Sequence, residues 1–78
     1  MRNPNRIDDF CKRLAEAWKQ MPDWRFGQLM SNCLGEMQSM GIDIFFPEDE
    51  KMIEWIEYYC GAKEYNPYAK NKSRDDTQ

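Results

Sequence analysis

Apolar residues recur at helical spacing in three separate stretches of this chain. In the first, Ile7, Phe10, Cys11, Leu14, Trp18 and Met21 trace one face of a 3.6-residue period, with Asp9, Lys12, Arg13, Glu16, Lys19 and Gln20 on the opposite side. Asn3 can cap free N–H groups, and Pro4 suits a first helical position. Pro22 drives the residue before it out of the helical region, so a helix is predicted over 4–21.

The second stretch carries Phe26, Leu29, Met30, Cys33, Leu34, Met37 and Met40 on one face. Asp23 is the expected N-cap and Gly41 the expected terminator, which predicts a helix over 23–40. Gly27 and Gly35 each cost about 1 kcal/mol relative to Ala inside a helix. Close approach of a neighbouring helix is the expected compensation. An apolar connector, Ile42 to Phe46, follows, read as an extended strap that places some of Ile42, Ile44 and Phe46 over the end of the helix pair.

Pro47 opens the third helix, predicted over 47–60, with Glu48, Asp49 and Glu50 in a first turn where acids complement the helix dipole. Met52, Ile53, Ile56, Tyr59 and Cys60 form its stripe and Gly61 ends it. Beyond Gly61 the chain is polar and aperiodic. Residues 62–78 are expected to be a mostly disordered tail, with Tyr65 and Tyr68 available to tack down its first part. Three amphipathic helices with short connections must bury their stripes against one another. The fold expected is all-α, a compact three-helix domain over residues 1–61, with Phe10, Leu14, Trp18, Leu29, Cys33, Ile53 and Ile56 buried together.

Length and charge narrow the picture. Seventy-eight residues permit one domain whose core yields little net stability unaided. Eleven basic against 14 acidic residues, net charge −3, oppose broad binding to nucleic acid or an anionic membrane. No apolar run of about 18 residues occurs, and no signal-peptide pattern, so a cytoplasmic location is expected. Cys11, Cys33 and Cys60 are spaced unlike metal ligands or a disulfide framework, and each is expected on the apolar face of its helix as a reduced thiol. There is no His to act as a base near neutral pH, and no phosphate-binding loop or nucleophile motif. No catalytic residue, cofactor or metal is therefore assigned, and the chain is not expected to be an enzyme.

Two features remain as candidate sites. Residues 42–60 hold six acids against one Lys, while residues 1–20 hold five basic groups against three acids. Attraction between the first and third helices accounts for this, and so does an acidic ridge of Glu48, Glu50, Glu54 and Glu57 offered to a basic partner. The second feature is the aromatics. Trp55 flanks the third helix's stripe and Tyr58 points away from it. Trp24 either closes the corner between the first two helices or joins Trp55 in an interface. The candidate interface is thus Trp24, Trp55, Tyr58, Glu50, Glu54 and Glu57. A polar tie between Arg25 and Asp49, or a polar pocket that adds Gln28 and Asn32, is the other candidate.

Pro4, Arg6 and Ile7, then Trp18, then Pro22, Asp23, Arg25, Gly27, Gln28 and Leu29, then Asp43, Phe45, Glu48 and Asp49 form the pattern P-x-R-I, W, P-D-x-R-x-G-Q-L and D-x-F-x-x-E-D. It resembles a group of small uncharacterised proteins of Gram-positive bacteria and their phages or mobile elements. The resemblance covers about residues 3–60 and implies a context, that of accessory proteins, but no catalytic residue. The function expected is a non-enzymatic protein-interaction module, a phage or mobile-element accessory that occludes a host or defence protein. Two alternatives stand beside it: a helix-turn-helix regulator reading nucleic acid through Arg25, Gln28 and Asn32, and a homo-oligomer whose assembly completes the core. A protein partner or self-association is expected, and neither nucleic acid nor membrane.

Overall fold

A computed structural model describes residues 2–68, which form three helices and, among those residues, no strand: α1 (Asn5–Trp18), α2 (Phe26–Ser39) and α3 (Asp49–Tyr59). The all-α three-helix fold is as the periodicity predicts. Of the tail expected to be mostly disordered, 62–78, residues 62–68 are described and 69–78 lie outside the described residues.

Each helix is shorter than its apolar pattern. Asn3 Oδ1 accepts a hydrogen bond from the Asn5 N–H at 2.9 Å, and Pro4 takes the first helical conformation, so α1 starts as expected. After Trp18 the chain tightens into successive turns, with Gln20 N–H to Ala17 O at 3.0 Å and Met21 N–H to Trp18 O at 2.8 Å. Asp23 does not cap α2. Trp24 N–H is used in a further turn to Met21 O, and Arg25 is the N-cap, its own N–H held by Gln28 Oε1 at 2.9 Å. Gln28 thus performs the half of a capping box that a side chain three residues into the helix can perform.

Gly41 and Gly61 end α2 and α3 in the same way. Both have positive φ, 85° and 86°, open to Gly without a Cβ clash. Gly41 N–H reaches Gln38 O and Ile42 N–H reaches Met37 O; Gly61 N–H reaches Tyr58 O and Ala62 N–H reaches Glu57 O. These are paired Schellman bonds that satisfy the last carbonyls of each helix. Ile42, delivered by the first of them, packs against the core, as does Ile44. Phe46 does not: the connector turns at Asp43, whose Oδ1 accepts the Phe45 N–H at 3.0 Å, and both Phe rings point outward. The connector is a turn, not an extended strap.

The core centres on α2 and α3. Leu29, Cys33 and Met37 of α2 meet Ile53, Trp55 and Ile56 of α3 and Cys60 just beyond it, with Ala17 as the buried residue of α1. Phe10, Leu14 and Trp18 are half-buried along its edge instead of inside it, and Phe26 is half-exposed against Trp18, ring centroids 5.7 Å apart. Cys11 is exposed, contrary to its expected place on the apolar face, whereas Cys33 and Cys60 are buried. Burial pushes the Cys33 thiol up to about 12, so it stays protonated near neutral pH.

The expected close approach at Gly27 and Gly35 is absent, since a Cβ at either would meet nothing within 4 Å. Gly35→Ala should accordingly stabilise the protein by about 0.5–1 kcal/mol in denaturant titrations; a destabilising effect would mean that something packs there after all. Leu29→Ala and Ile53→Ala, both at buried positions, should each cost about 2–5 kcal/mol. Losses below about 1 kcal/mol at both would place the core elsewhere.

Candidate functional site

Charge explains how α1 meets α3. Arg2 pairs with Glu48 at 2.9 Å, Arg6 with Asp49, and Arg13 with Glu50 at 2.9 Å and Glu57 at 2.8 Å. Numbers rise together on both helices, so α1 and α3 run parallel, with their acidic and basic faces in register. Arg13 is the hub. Its Nε and Nη2 donate to the two carboxylate oxygens of Glu57 at 2.9 and 2.8 Å, and its Nη1 donates to Glu50. This bidentate fork is the strong form of the Arg–carboxylate pair. The groove between the helices, about 420 Å³, is lined largely by these same paired side chains.

Three of the four acids of the expected ridge, Glu48, Glu50 and Glu57, are thus paired within the molecule. Glu57 is 8% exposed and also receives Lys63 Nζ at 3.4 Å. Glu50 is exposed but engaged by Arg13. Glu54 is half-buried and makes no ion pair among the described residues. The expected Arg25–Asp49 tie is replaced by Arg6–Asp49. Arg25 sits at the exposed start of α2 with Gln28 and Asn32 exposed beyond it, so the four residues form no common pocket. The clue to the real pairing was the placement of Arg6 and Arg13 seven residues apart on α1, with Arg2 just before it, opposite acids at 48–57.

Trp55 is also corrected. It is 2% exposed, and its Nε1–H donates to Cys33 O at 2.9 Å, tying α3 to α2. A flanking position on the wheel did not keep it at the surface, because the chain returns over it. Tyr68 lies edge-on to Trp55 at 5.9 Å, with Tyr58 and Tyr59 at 5.6 and 5.9 Å on their own helix. Tyr58 is half-buried. Trp24 closes the α1–α2 corner: its carbonyl accepts Trp18 Nε1–H at 2.8 Å and its ring faces Tyr59 at 6.3 Å.

What the sequence did not single out is the tip of the connector. Phe45 is 83% exposed and Phe46 72%, stacked edge-to-face with centroids 5.1 Å apart. Ile7, half-exposed, shares a small cleft with Arg6, Phe10 and Asp49. Because Asp49 follows Phe46 by three residues, Ile7 and the Phe pair lie at the same end of the molecule. The available signal was the pair of adjacent Phe residues immediately before Pro47, where only alternate positions of a strap can face inward.

Among the described residues no group of three or more Cys, Asp or Glu is placed to hold a metal ion, and no helix is long and apolar enough to cross a membrane. Comparison with known protein families, curated proteins and solved structures gives no match.

The Arg13 fork makes a pH prediction. Its hydrogen bonds hold the Glu57 carboxyl below its ordinary value of 4.5, against the opposing effect of burial. A depressed folded pKa gives stability that is present above the ordinary value and lost as pH falls through the lowered one. Arg13→Ala should cost about 1–3 kcal/mol at neutral pH and flatten the acid limb of a melting-temperature profile. An unchanged acid limb would mean that Glu57 is not linked to folding.

Proposed function

We propose that this chain is a non-enzymatic protein-interaction module that grips its partner through the Phe45–Phe46 tip. The observation that carries this reading is two adjacent Phe rings, 83% and 72% exposed, in a connector whose Ile42 and Ile44 are anchored to the core. An anchored turn holds the rings out at low entropic cost, and aromatic side chains are common anchors where proteins meet. Asp43, whose Oδ1 accepts the Phe45 N–H, and Glu48, paired with Arg2, supply a polar rim. The resemblance to proteins of phages and mobile elements agrees with an accessory that works by covering a host protein.

Phe45→Ala with Phe46→Ala should leave helical circular dichroism unchanged and weaken binding of whichever protein the wild-type chain captures from a cell lysate by about 2 kcal/mol, ~30-fold. Light scattering at two concentrations decides whether that protein is a second copy. Loss of helix would make the rings structural, and undiminished binding would put the interface elsewhere.

Arg25, Gln28 and Asn32 are all exposed on α2, which keeps a helix-turn-helix reading as the second choice. Against it, Arg2, Arg6 and Arg13 are engaged with acids of α3 or its approach. Random duplex DNA at physiological salt should give no micromolar gel shift. A shift that weakens steeply with added salt would reverse the order of the two readings.

A further inference from the structure

The segment after α3 folds back as a strap. Lys63 N–H bonds Glu57 O at 3.2 Å, and the chain then runs to Asn66, whose Oδ1 accepts the Tyr68 N–H at 2.8 Å in a local turn. That turn delivers Tyr68 edge-on to Trp55. Lys51 completes the contact in two ways: its Nζ donates to Pro67 O at 2.8 Å and sits 5.0 Å from the centre of the Tyr68 ring. Among the described residues, this is the one hydrogen bond joining 64–68 to α3. A second cleft of about 410 Å³, lined by Met40, Tyr58 and Tyr59, opens beside Asn66.

We infer that the face formed by Trp55, Tyr58 and Lys51 is a docking site for a flexible segment carrying Pro followed by an aromatic residue, and that Asn66-Pro67-Tyr68 of this chain occupies it in the free protein. Each part of the site matches a part of that segment. The Trp55 ring takes the aromatic side chain, and Lys51 takes the carbonyl that Pro presents. Proline pre-sets the backbone, so little freedom is lost on docking. The strap itself is held by side-chain contacts and not by a backbone ladder, so a competing segment displaces few bonds. The competitor works against an intramolecular occupant at millimolar effective concentration, which sets a threshold for binding. The inference concerns residues other than Phe45 and Phe46, so either surface can fail without the other.

The test uses the full chain, with the Trp55 indole N–H resonance as the readout. Tyr68→Ala should shift that resonance and leave helical circular dichroism intact. A pentapeptide of Glu64–Tyr68 sequence should return it toward its original position, whereas the same peptide with Ala at the position of Tyr68 should not. A fluorescently labelled copy of the peptide should bind the wild-type protein at least ~10-fold more weakly than it binds the Tyr68→Ala variant, because the wild-type strap competes. Failure of the peptide to restore the resonance, or equal midpoints in the two proteins, would overturn the inference. So would loss of helix in the Tyr68→Ala variant, which would make the strap part of the core.

Discussion

A chain of 78 residues has little apolar surface to bury, and Trp55 supplies the largest nearly fully buried piece of it. An indole N–H buried in a core costs free energy unless it finds an acceptor. Here that acceptor is the carbonyl of Cys33, which lies inside α2 and already belongs to a helix. The bond therefore specifies both the depth at which α3 sits and the residue of α2 it faces. Leu29, Met37, Ile53 and Ile56 fill the space around this contact. Tyr58, Tyr59 and Tyr68 surround the ring where helix packing alone would leave it open.

α1 is attached on different terms. It places only Ala17 fully inside, and its larger apolar residues lie along the edge. What orients it is the register of Arg2, Arg6 and Arg13 with the acids from Glu48 to Glu57. Exposed members of such a ladder contribute little each. The Arg13 fork onto Glu57 is the exception, because it is bidentate and Glu57 is almost out of water. A parallel arrangement sets the dipoles of α1 and α3 side by side in an unfavourable sense. Acids in the first turn of α3 both offset its own dipole end and attract α1's arginines. The same side chains thus serve two electrostatic needs, which leaves few of them for a partner.

Much of this was legible in the chain. Three helices, the roles of Asn3, Gly41 and Gly61, and the burial of Leu29, Cys33, Ile53 and Ile56 follow from period and local backbone chemistry. Those effects act within a few residues, where sequence order is a good guide to distance. The site was harder because it depends on what comes back over a helix from far along the chain. A helical wheel places Trp55 at the margin of its stripe and has no means of seeing Tyr68 thirteen residues later. It likewise pairs Asp49 with any nearby cation, and the choice between Arg25 and Arg6 is made by the parallel packing of α1. Asp23 was misread as the cap for a local reason: the turns after Pro22 consume the residues that an earlier helix start would need.

The two surfaces proposed for binding differ in how they are kept available. The Phe45–Phe46 tip stands out because its anchors, Ile42 and Ile44, are pinned by the Schellman turn at Gly41, so its exposure is a consequence of the fold. It is open whenever the protein is folded. The Trp55 face is covered whenever Tyr68 is seated, and seating depends on one Lys51 hydrogen bond and ring contacts. A partner that first engages the tip would be held beside the molecule while the strap opens and closes. If that partner also carries a Pro-aromatic segment within reach, its docking becomes intramolecular and meets the strap on equal terms. On this reading, selectivity comes from requiring both contacts: a protein offering only an apolar patch gains the tip, and one offering only the segment must outcompete the strap from free solution.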